Sequence, residues 1–125
     1  MDPIANLLTS VRNALNARQQ RVEIGYSKIK ADICQILKDL HIINNFKFSE
    51  NDGRKVIVIE VPENQKSCHL RRISKPGRRI YVKSKDIRIP LSGIGNLIIS
   101  TSAGVMEARK AKKMGLGGEI ICEVW

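Results

Sequence analysis

The 125-residue sequence has little of several residue types that define whole classes of protein. Its five aromatic side chains make up 4% of the chain and form no evident cluster along it, whereas proteins that hold single-stranded nucleic acid present aromatic stacking surfaces. Its longest purely apolar runs, such as residues 56–59, have the length of a strand and cannot cross a bilayer. These absences argue against a single-strand binder and against a membrane protein.

Catalytic groupings are also missing. The basic half of the chain contains no close pair of carboxylates, and neither His41 nor His69 has an evident acidic partner in the sequence. A nuclease would need clustered carboxylates for a metal ion, or a comparable arrangement around a nucleophile. We therefore expect no enzyme activity, no metal and no cofactor.

The three cysteines, Cys34, Cys68 and Cys122, are an odd number and include no Cys-x-x-Cys pair. Each lies in an apolar pattern, which favours reduced thiols that pack as small hydrophobic side chains. A metal site formed by Cys68, His69 and Cys122 is the alternative, but it lacks tight ligand spacing and a fourth ligand.

Positive charge is concentrated in the second half of the chain. Residues 1–62 contain nine Lys or Arg against seven Asp or Glu, whereas residues 63–125 contain thirteen against five. Between residues 66 and 88, only Asp86 opposes nine bases: Lys66, Arg71, Arg72, Lys75, Arg78, Arg79, Lys83, Lys85 and Arg88. The alternative is that these bases form a solvent-exposed strand face, where charged and apolar residues alternate. Such a face normally carries acidic residues among the basic ones, and here there is a single acid. We therefore favour a polyanion, such as nucleic acid, as the partner.

Residue spacing predicts an α+β fold of two domains. Residues 62–65 have the composition of a linker, so we place an N-terminal domain at residues 1–62 and a C-terminal domain at residues 66–125. The N-terminal domain is predicted to pack two helices on a small three-stranded sheet. Its elements are a helix from Asp2 to Ala17, a strand at residues 22–26, a helix capped by Ser27 and a hairpin at residues 46–61 that turns at residues 51–53.

The C-terminal domain is predicted to be mostly β, with one short helix. Its elements are strands at residues 69–74 and 79–82 around a Pro76-Gly77 turn, a connecting turn at residues 88–91, a strand at residues 96–100, a helix at residues 106–114 and a strand at residues 119–124. The glycines of residues 115–118 precede a strand rather than a helix, so we interpret them as a connection that needs positive φ.

Three small hydroxyl side chains, Ser100, Thr101 and Ser102, end the strand at residues 96–100. Hydroxyls in such a loop can bond base edges and ribose 2′-hydroxyls in a distorted RNA groove. From spacing alone, however, a helix N-cap or an ordinary turn explains them better. Tyr81 is the aromatic residue best placed to contact a ligand, and packing within its strand explains it equally well. A folded, irregular RNA suits this basic and aromatic-poor chain.

Three separated segments closely resemble one protein family and occur in the family's order. They are residues 73–81 (ISKPGRRIY), 99–106 (ISTSAGVM) and 115–122 (GLGGEIIC). The opening residues 2–5 (DPIA), with Arg12, Asn13, Ser27 and Lys28, are similar to it as well. The family is small-subunit ribosomal protein eight in its bacterial and organellar form. The resemblance spans essentially the whole chain.

The resemblance implies a structural constituent of the small ribosomal subunit. Such a protein binds a helix in the central domain of 16S-type rRNA and helps to assemble the platform of the subunit. In the family, the main RNA contacts come from the Ser-Thr-Ser loop, a nearby tyrosine and the Gly-Gly-Glu strand. The matching residues here are Ser100, Thr101, Ser102, Tyr81 and Glu119.

Further RNA contacts are expected from both halves of the chain. The loop and the basic run contribute Gly104, Arg72, Lys75, Arg78 and Arg79. A lesser contact made by the N-terminal domain of the family corresponds to Lys28 and Lys30.

The resemblance also implies partners and a location. The expected partners are rRNA, the fifth and twelfth proteins of the small subunit and, as for some bacterial members, the protein's own messenger; no membrane partner is expected. The chain opens directly on a helix signal, so we expect it in the bacterial cytoplasm, or in the plastid stroma if an organelle encodes it.

The sequence departs from the family in two places near the loop. Ala103 stands where a basic residue is usual, which removes one expected phosphate contact. Glu107, Ala108 and Arg109 replace the capping pattern of the last helix, and the loss of such a cap costs about 1 kcal/mol.

Overall fold

The computed structural model describes residues 2–62, 69–87 and 96–124. The chain divides into two compact units, Pro3–Cys68 and His69–Trp125, and Asp2 groups with the second. The α+β class is confirmed, since the first unit combines helices with a sheet and the second is mostly strand. The domain limits at residues 62 and 66 stay a prediction. The turn predicted at residues 88–91 lies outside the described residues.

The first unit has two helices and a three-stranded antiparallel sheet. Its elements are α1 (Pro3–Asn16), β1 (Arg21–Gly25), α2 (Lys28–Asp39), β2 (Asn45–Asn51) and β3 (Arg54–Glu60). The central strand is β3, with β1 and β2 on its two sides. The buried side chains of α1 recur at helical spacing, and they are Ile4, Leu7, Leu8, Val11, Ala14 and Leu15. Both predicted helices and the predicted hairpin are confirmed.

Ser27 caps α2, as its sequence predicts. The Ser27 side chain accepts a hydrogen bond from the backbone N–H of Lys30 at 3.3 Å, which satisfies one of the donors that a helix start leaves open. Ile33 and Leu37 lie four residues apart on the same face of the helix, and both are fully buried.

Three aromatic residues of the first unit, Tyr26, Phe46 and Phe48, form a cluster. Phe46 and Phe48 lie two residues apart on one face of β2. The ring centroids of Tyr26 and Phe48 are 5.3 Å apart, and those of Phe46 and Phe48 are 5.9 Å apart, both pairs edge to face. The expectation of no aromatic cluster of the kind that stacks bases stays a prediction. The spacing of Phe46 and Phe48 is local, whereas strand pairing, which the sequence does not show, brings Tyr26 beside them.

The second unit is a five-stranded sheet with one short helix. Its elements are β4 (Leu70–Arg72), β5 (Tyr81–Val82), a 3-10 turn (Ser84–Asp86), β6 (Asn96–Thr101), β7 (Gly104–Glu107), α3 (Ala108–Lys113) and β8 (Gly118–Val124). The central strand is β8, which pairs with β4 and β5 along one edge and with β6 along the other; β7 pairs with β6. The helix packs on the sheet around a core of Ile87, Ile99, Met106, Ala108 and Ala111.

The helix predicted for residues 106–114 is wrong in its first part. Residues Gly104–Glu107 form β7, and α3 begins only at Ala108. Spacing cannot separate strand from helix in so short an apolar stretch. Gly104 has φ +119°, a conformation that suits glycine, and it reverses the chain so that β7 runs beside β6. Glu107 makes no side-chain cap bond to α3, in agreement with the missing capping pattern.

Candidate nucleic-acid interface

Strand register brings three of the predicted site residues side by side. Glu119 of β8 lies opposite Tyr81 of β5 and also opposite Ser100 of β6. Directly opposed residues point to the same face of a sheet, so these three side chains form one row, which we call the site row. One strand neighbour of each of these residues lies on the other face, in the core or packed against it; these neighbours are Val82, Ile120 and Ile99. The site row therefore faces away from α3.

Tyr81 is the most exposed member of the site row. Its side chain is 70% exposed, and it has no ring partner among the described residues. An exposed aromatic ring is informative because such surfaces are usually covered. The structure therefore disfavours the interpretation of Tyr81 as a packed strand residue.

The hydroxyl turn, residues 100–104, closes the hairpin between β6 and β7. Thr101 pairs with Gly104, and two residues form the loop between them. The Thr101 hydroxyl donates to the carbonyl of Gly104 at 2.8 Å and accepts from the backbone N–H of Ala103 at 3.1 Å. This hydroxyl is therefore used to shape the turn. Ser102 is exposed at the tip of the turn, where its hydroxyl can face a ligand.

A second turn, residues 75–78, presents positive charge. Lys75 and Arg78 exchange two backbone hydrogen bonds, of 3.0 and 2.9 Å, across Pro76 and Gly77. The side chains of Lys75, Arg78 and the adjacent Arg79 are exposed. We call Lys75, Arg78 and Arg79 the cationic turn. The turn therefore presents three exposed positive charges within five residues.

Glu119 connects the cationic turn to the site row. The guanidinium of Arg79 donates to Glu119 Oε2 at 3.0 Å. The hydroxyl of Ser74, which is fully buried, donates to the same oxygen at 2.5 Å. Ser74 in turn accepts from the backbone N–H of Ile80 at 3.0 Å. This carboxylate therefore holds both ends of the segment at residues 74–80, and its role within the protein was not visible in the sequence.

The environment of Glu119 lowers its pKa. Burial alone would raise the pKa, but the hydrogen bonds from Ser74 and Arg79 and the positive charges of Arg79 and Arg72 outweigh it. Glu119 is therefore a carboxylate at neutral pH. Its negative charge fixes Arg79 in place within a surface that is otherwise basic.

We expect acid to weaken the second unit by protonating Glu119. A glutamate in an unfolded chain titrates near about pH 4.3, and the folded pKa lies lower. The unfolded chain therefore takes up the proton first, and stability falls as the pH drops through this range. The contribution is complete at neutral pH and is lost progressively below about pH 4.

Urea unfolding between about pH 6 and pH 3 measures this contribution. Glu119→Gln should be less stable than the wild type at the upper pH and should lose less stability in acid, because it has no carboxylate to protonate. Glu123→Gln removes one charge from the same strand and is the matched control. An acid loss in Glu119→Gln as large as that of the wild type would contradict the assignment.

Arg72 does not face solvent, contrary to its predicted role as a phosphate contact. Its side chain is only 8% exposed, and its guanidinium donates to the carbonyl of Ile121 at 2.6 Å and to the carboxylate of Asp2 at 2.9 Å. Leu70 and Ser74, two residues away on either side, are also buried. Strand alternation places Arg72 on the same face as Leu70 and Ser74.

Lys28 and Lys30 lie in the first turn of α2, in the first unit. The Lys28 side chain is 86% exposed and approaches Asp32 at 3.8 Å, an exposed pair of little energetic weight. Lys30 is half-buried. Their predicted contact with RNA stays a prediction.

The sequence matches a known family over its whole length. The family model described as ribosomal protein S8 matches residues 2–125. The chain belongs to the ribosomal protein S8 family.

Three similar curated proteins, each called small ribosomal subunit protein uS8, cover nearly the full chain. The Solibacter usitatus protein is 46% identical over 99% of this chain and 98% of its own length. The Sorangium cellulosum protein is 44% identical over the same shares. The Acidobacterium capsulatum protein is 41% identical over 99% of this chain and 97% of its own length. The resemblance to the ribosomal protein S8 family is therefore confirmed.

The described residues of this S8-family chain offer no metal site. No group of three or more His, Cys, Asp or Glu side chains lies together in residues 2–62, 69–87 and 96–124. Burial raises the pKa of both Cys34 and Cys122 to about 12, so neither is a thiolate at neutral pH. The alternative metal site also needs Cys68, which lies outside the described residues.

None of the described helices is long and apolar enough to span a membrane.

Proposed function

We propose that the second unit binds an irregular helix of the central domain of 16S-type rRNA. As a member of the ribosomal protein S8 family, the chain is a structural constituent of the small ribosomal subunit, and it binds rRNA and neighbouring ribosomal proteins. The strand register that places Tyr81, Glu119 and Ser100 side by side supports the proposal that the second unit binds an irregular rRNA helix. Ser100 begins the hydroxyl turn, and Glu119 binds Arg79 of the cationic turn.

The cationic turn supplies affinity that does not depend on sequence. Lys75 and Arg78 carry exposed positive charges suited to phosphate oxygens, and their binding to phosphates releases counterions from the RNA. Arg79 is held by Glu119, with its side chain 46% exposed. A guanidinium fixed in this way loses less freedom when it meets a phosphate than a mobile one.

The hydroxyl turn and Tyr81 supply selection of the RNA shape. The bonds of Thr101 fix the backbone of the turn, and Ser102 then presents its hydroxyl at the tip. A single hydroxyl can donate and accept at once, so it suits base edges and 2′-hydroxyls in a shallow groove. The exposed ring of Tyr81 can lie against an unstacked base, which a regular duplex does not offer.

The identities of the neighbouring proteins and of a further RNA partner are inferred from the family resemblance. We infer that the chain contributes to the platform of the small subunit beside the fifth and twelfth proteins. Repression of its own messenger would use the same site row. The sequence fits a bacterial cytoplasmic ribosome and fits a plastid ribosome equally. No catalytic role is part of this proposal.

We expect Ser102→Ala to weaken binding to the cognate helix by roughly three- to tenfold, the value of one hydrogen bond. Binding to a random RNA duplex should change less than about twofold, because phosphate contacts dominate there. Ser49→Ala, which removes an exposed hydroxyl from the first unit, is the matched control. Equal losses on both RNAs would remove the selective role of Ser102.

Hydroxyl-radical footprinting on naked small-subunit rRNA locates the bound helix, and protection confined to another domain would contradict the proposal.

A further inference from the structure

A second basic surface surrounds α3. Its exposed positive residues come from the helix and from the neighbouring 3-10 turn, and they are Lys83, Lys85, Arg109, Lys110, Lys112 and Lys113. The acidic residues in these two segments and their flanks are Asp86 and Glu107. We call the six positive residues the α3 basic surface.

The α3 basic surface and the site row lie on opposite faces of the sheet. Ala108 and Ala111 of α3 pack into a core that includes Ile99. Each residue of the site row is adjacent in its strand to a residue of this core, and strand neighbours point to opposite faces. The outward side of α3 therefore lies a helix diameter, about 10–12 Å, beyond the far side of the sheet. One straight RNA segment cannot follow both faces.

Two lysines of α3 carry charges that no carboxylate of the described residues neutralises. Lys110 and Lys113 have no carboxylate partner among the described residues. Lys112 donates to the carbonyl of Ile87 at 3.1 Å, which ties the helix to the end of the 3-10 turn. The helix dipole favours cations in the last turn, but it does not account for Lys83 and Lys85 beside the helix.

The composition of the α3 basic surface fits a phosphate backbone better than a protein or a membrane. Protein interfaces are depleted in lysine and enriched in aromatic residues, whereas five of these six residues are lysines and none is aromatic. A membrane surface needs an apolar face as an anchor, but Ala108 and Ala111 are buried in the core. Lysine binds phosphate as a point charge.

We propose that the α3 basic surface binds the phosphate backbone of a second rRNA segment while the site row holds the first. The inference rests on the proposed function, because it adds a second RNA segment to the same protein. A sheet that carries RNA on both faces would hold two segments at a fixed separation. Holding two RNA segments at a fixed distance would help the RNA to fold during assembly of the subunit.

The first experiment measures how one charge variant of the protein binds two RNAs, the minimal cognate helix and the whole central domain. Lys110→Gln with Lys113→Gln should leave binding to the minimal cognate helix within about twofold of the wild type. On the whole central domain it should lose about tenfold, and the slope of log affinity against log salt should fall by about 2, one unit for each phosphate contact.

The matched control is Lys38→Gln with Lys47→Gln, two exposed lysines of the first unit. It makes the same change in net charge and should change binding to either RNA by less than about twofold. Equal losses of the α3 variant on both RNAs, or no loss on either, would overturn the proposal. Weaker incorporation into subunits without any loss on naked rRNA would also overturn it, in favour of an acidic protein neighbour.

The second experiment maps the RNA near each face by tethered hydroxyl-radical cleavage. The probe is attached at Lys113→Cys or at Ser102→Cys in a Cys68→Ser background, because Cys34 and Cys122 are buried and not reactive thiolates. Cleavage from position 113 is expected in a segment distinct from that cut from position 102. No cleavage from position 113, or cleavage at the same nucleotides, would contradict the inference.

The two proposals fail in different ways. A wild-type protein without preference for the central domain would contradict the proposed function. A wild-type protein that keeps this preference, with an α3 variant that behaves like its control, would contradict only the second contact.

Discussion

Gly118→Ala should severely destabilise the second unit. A Cβ at this position would overlap the backbone carbonyl oxygen of Ser100 and lie 2.9 Å from its carbon and 3.2 Å from Cγ2 of Ile99. The first two atoms belong to the backbone of β6, so no rotamer change relieves the overlap. Because β6 is paired on both sides, the strands must separate or lose hydrogen bonds, at a cost of about 3 kcal/mol or more.

The same substitution should weaken RNA binding. Gly118 immediately precedes Glu119, and the overlap pushes Ser100 away from the site row. We expect the midpoint of urea unfolding to fall without a change in slope, and the affinity of the remaining folded protein for the cognate helix to fall more than about tenfold.

Gly77→Ala is the matched control for Gly118→Ala. A Cβ on Gly77 would meet nothing within 4 Å, so the substitution should change stability by less than about 1 kcal/mol and can even raise it by restricting the unfolded chain. Wild-type stability in Gly118→Ala would show that β6 and β8 are not packed as closely as the structure has them.

The sequence predicted the elements whose causes are local. A proline at the start of α1, a serine before α2 and the helical spacing of Leu7, Leu8 and Val11 act within a few residues. The hairpin of β2 and β3 has its turn signal between two apolar strands. Such features depend on neighbours in the chain, so their positions follow from a single sequence.

The sequence did not predict features that depend on strand pairing. Gly118 was interpreted as a residue that needs positive φ, whereas its constraint is the close approach of β6. Glu119 meets Ser74 and Arg79, which lie 45 and 40 residues away in the chain. Only the register of β8 with both of its neighbours shows that this carboxylate organises the surface.

The residues of the candidate site were predicted, but not which of them stabilise the fold and which face solvent. The resemblance supplied Tyr81, Ser100 and Glu119, and the structure brings them together. Charge density alone also selected Arg72, which is buried, because a count of charges along the chain does not show which face of a strand each one occupies. Burial therefore separates the arginine that holds the fold from those that meet solvent.

Replacing all three residues of the cationic turn should have the largest effect on RNA binding. Lys75→Gln, Arg78→Gln and Arg79→Gln together remove three exposed charges, of which Arg79 contacts Glu119 of the site row. Each phosphate contact contributes about 0.9 to the salt slope, so the slope should fall by about 2 to 3 and the affinity at physiological salt by about 100-fold. Filter binding across a salt series measures both quantities.

A triple variant of the first unit tests whether position or total charge is responsible. Lys38→Gln, Lys47→Gln and Arg54→Gln remove three exposed charges of the same sign far along the chain from the turn. If the turn touches phosphates, this control should lose no more than about threefold and keep its salt slope within about 1. Equal losses in both triple variants would mean that the net charge of +10 attracts RNA as a diffuse field. The cationic turn would then have no local contact with phosphate.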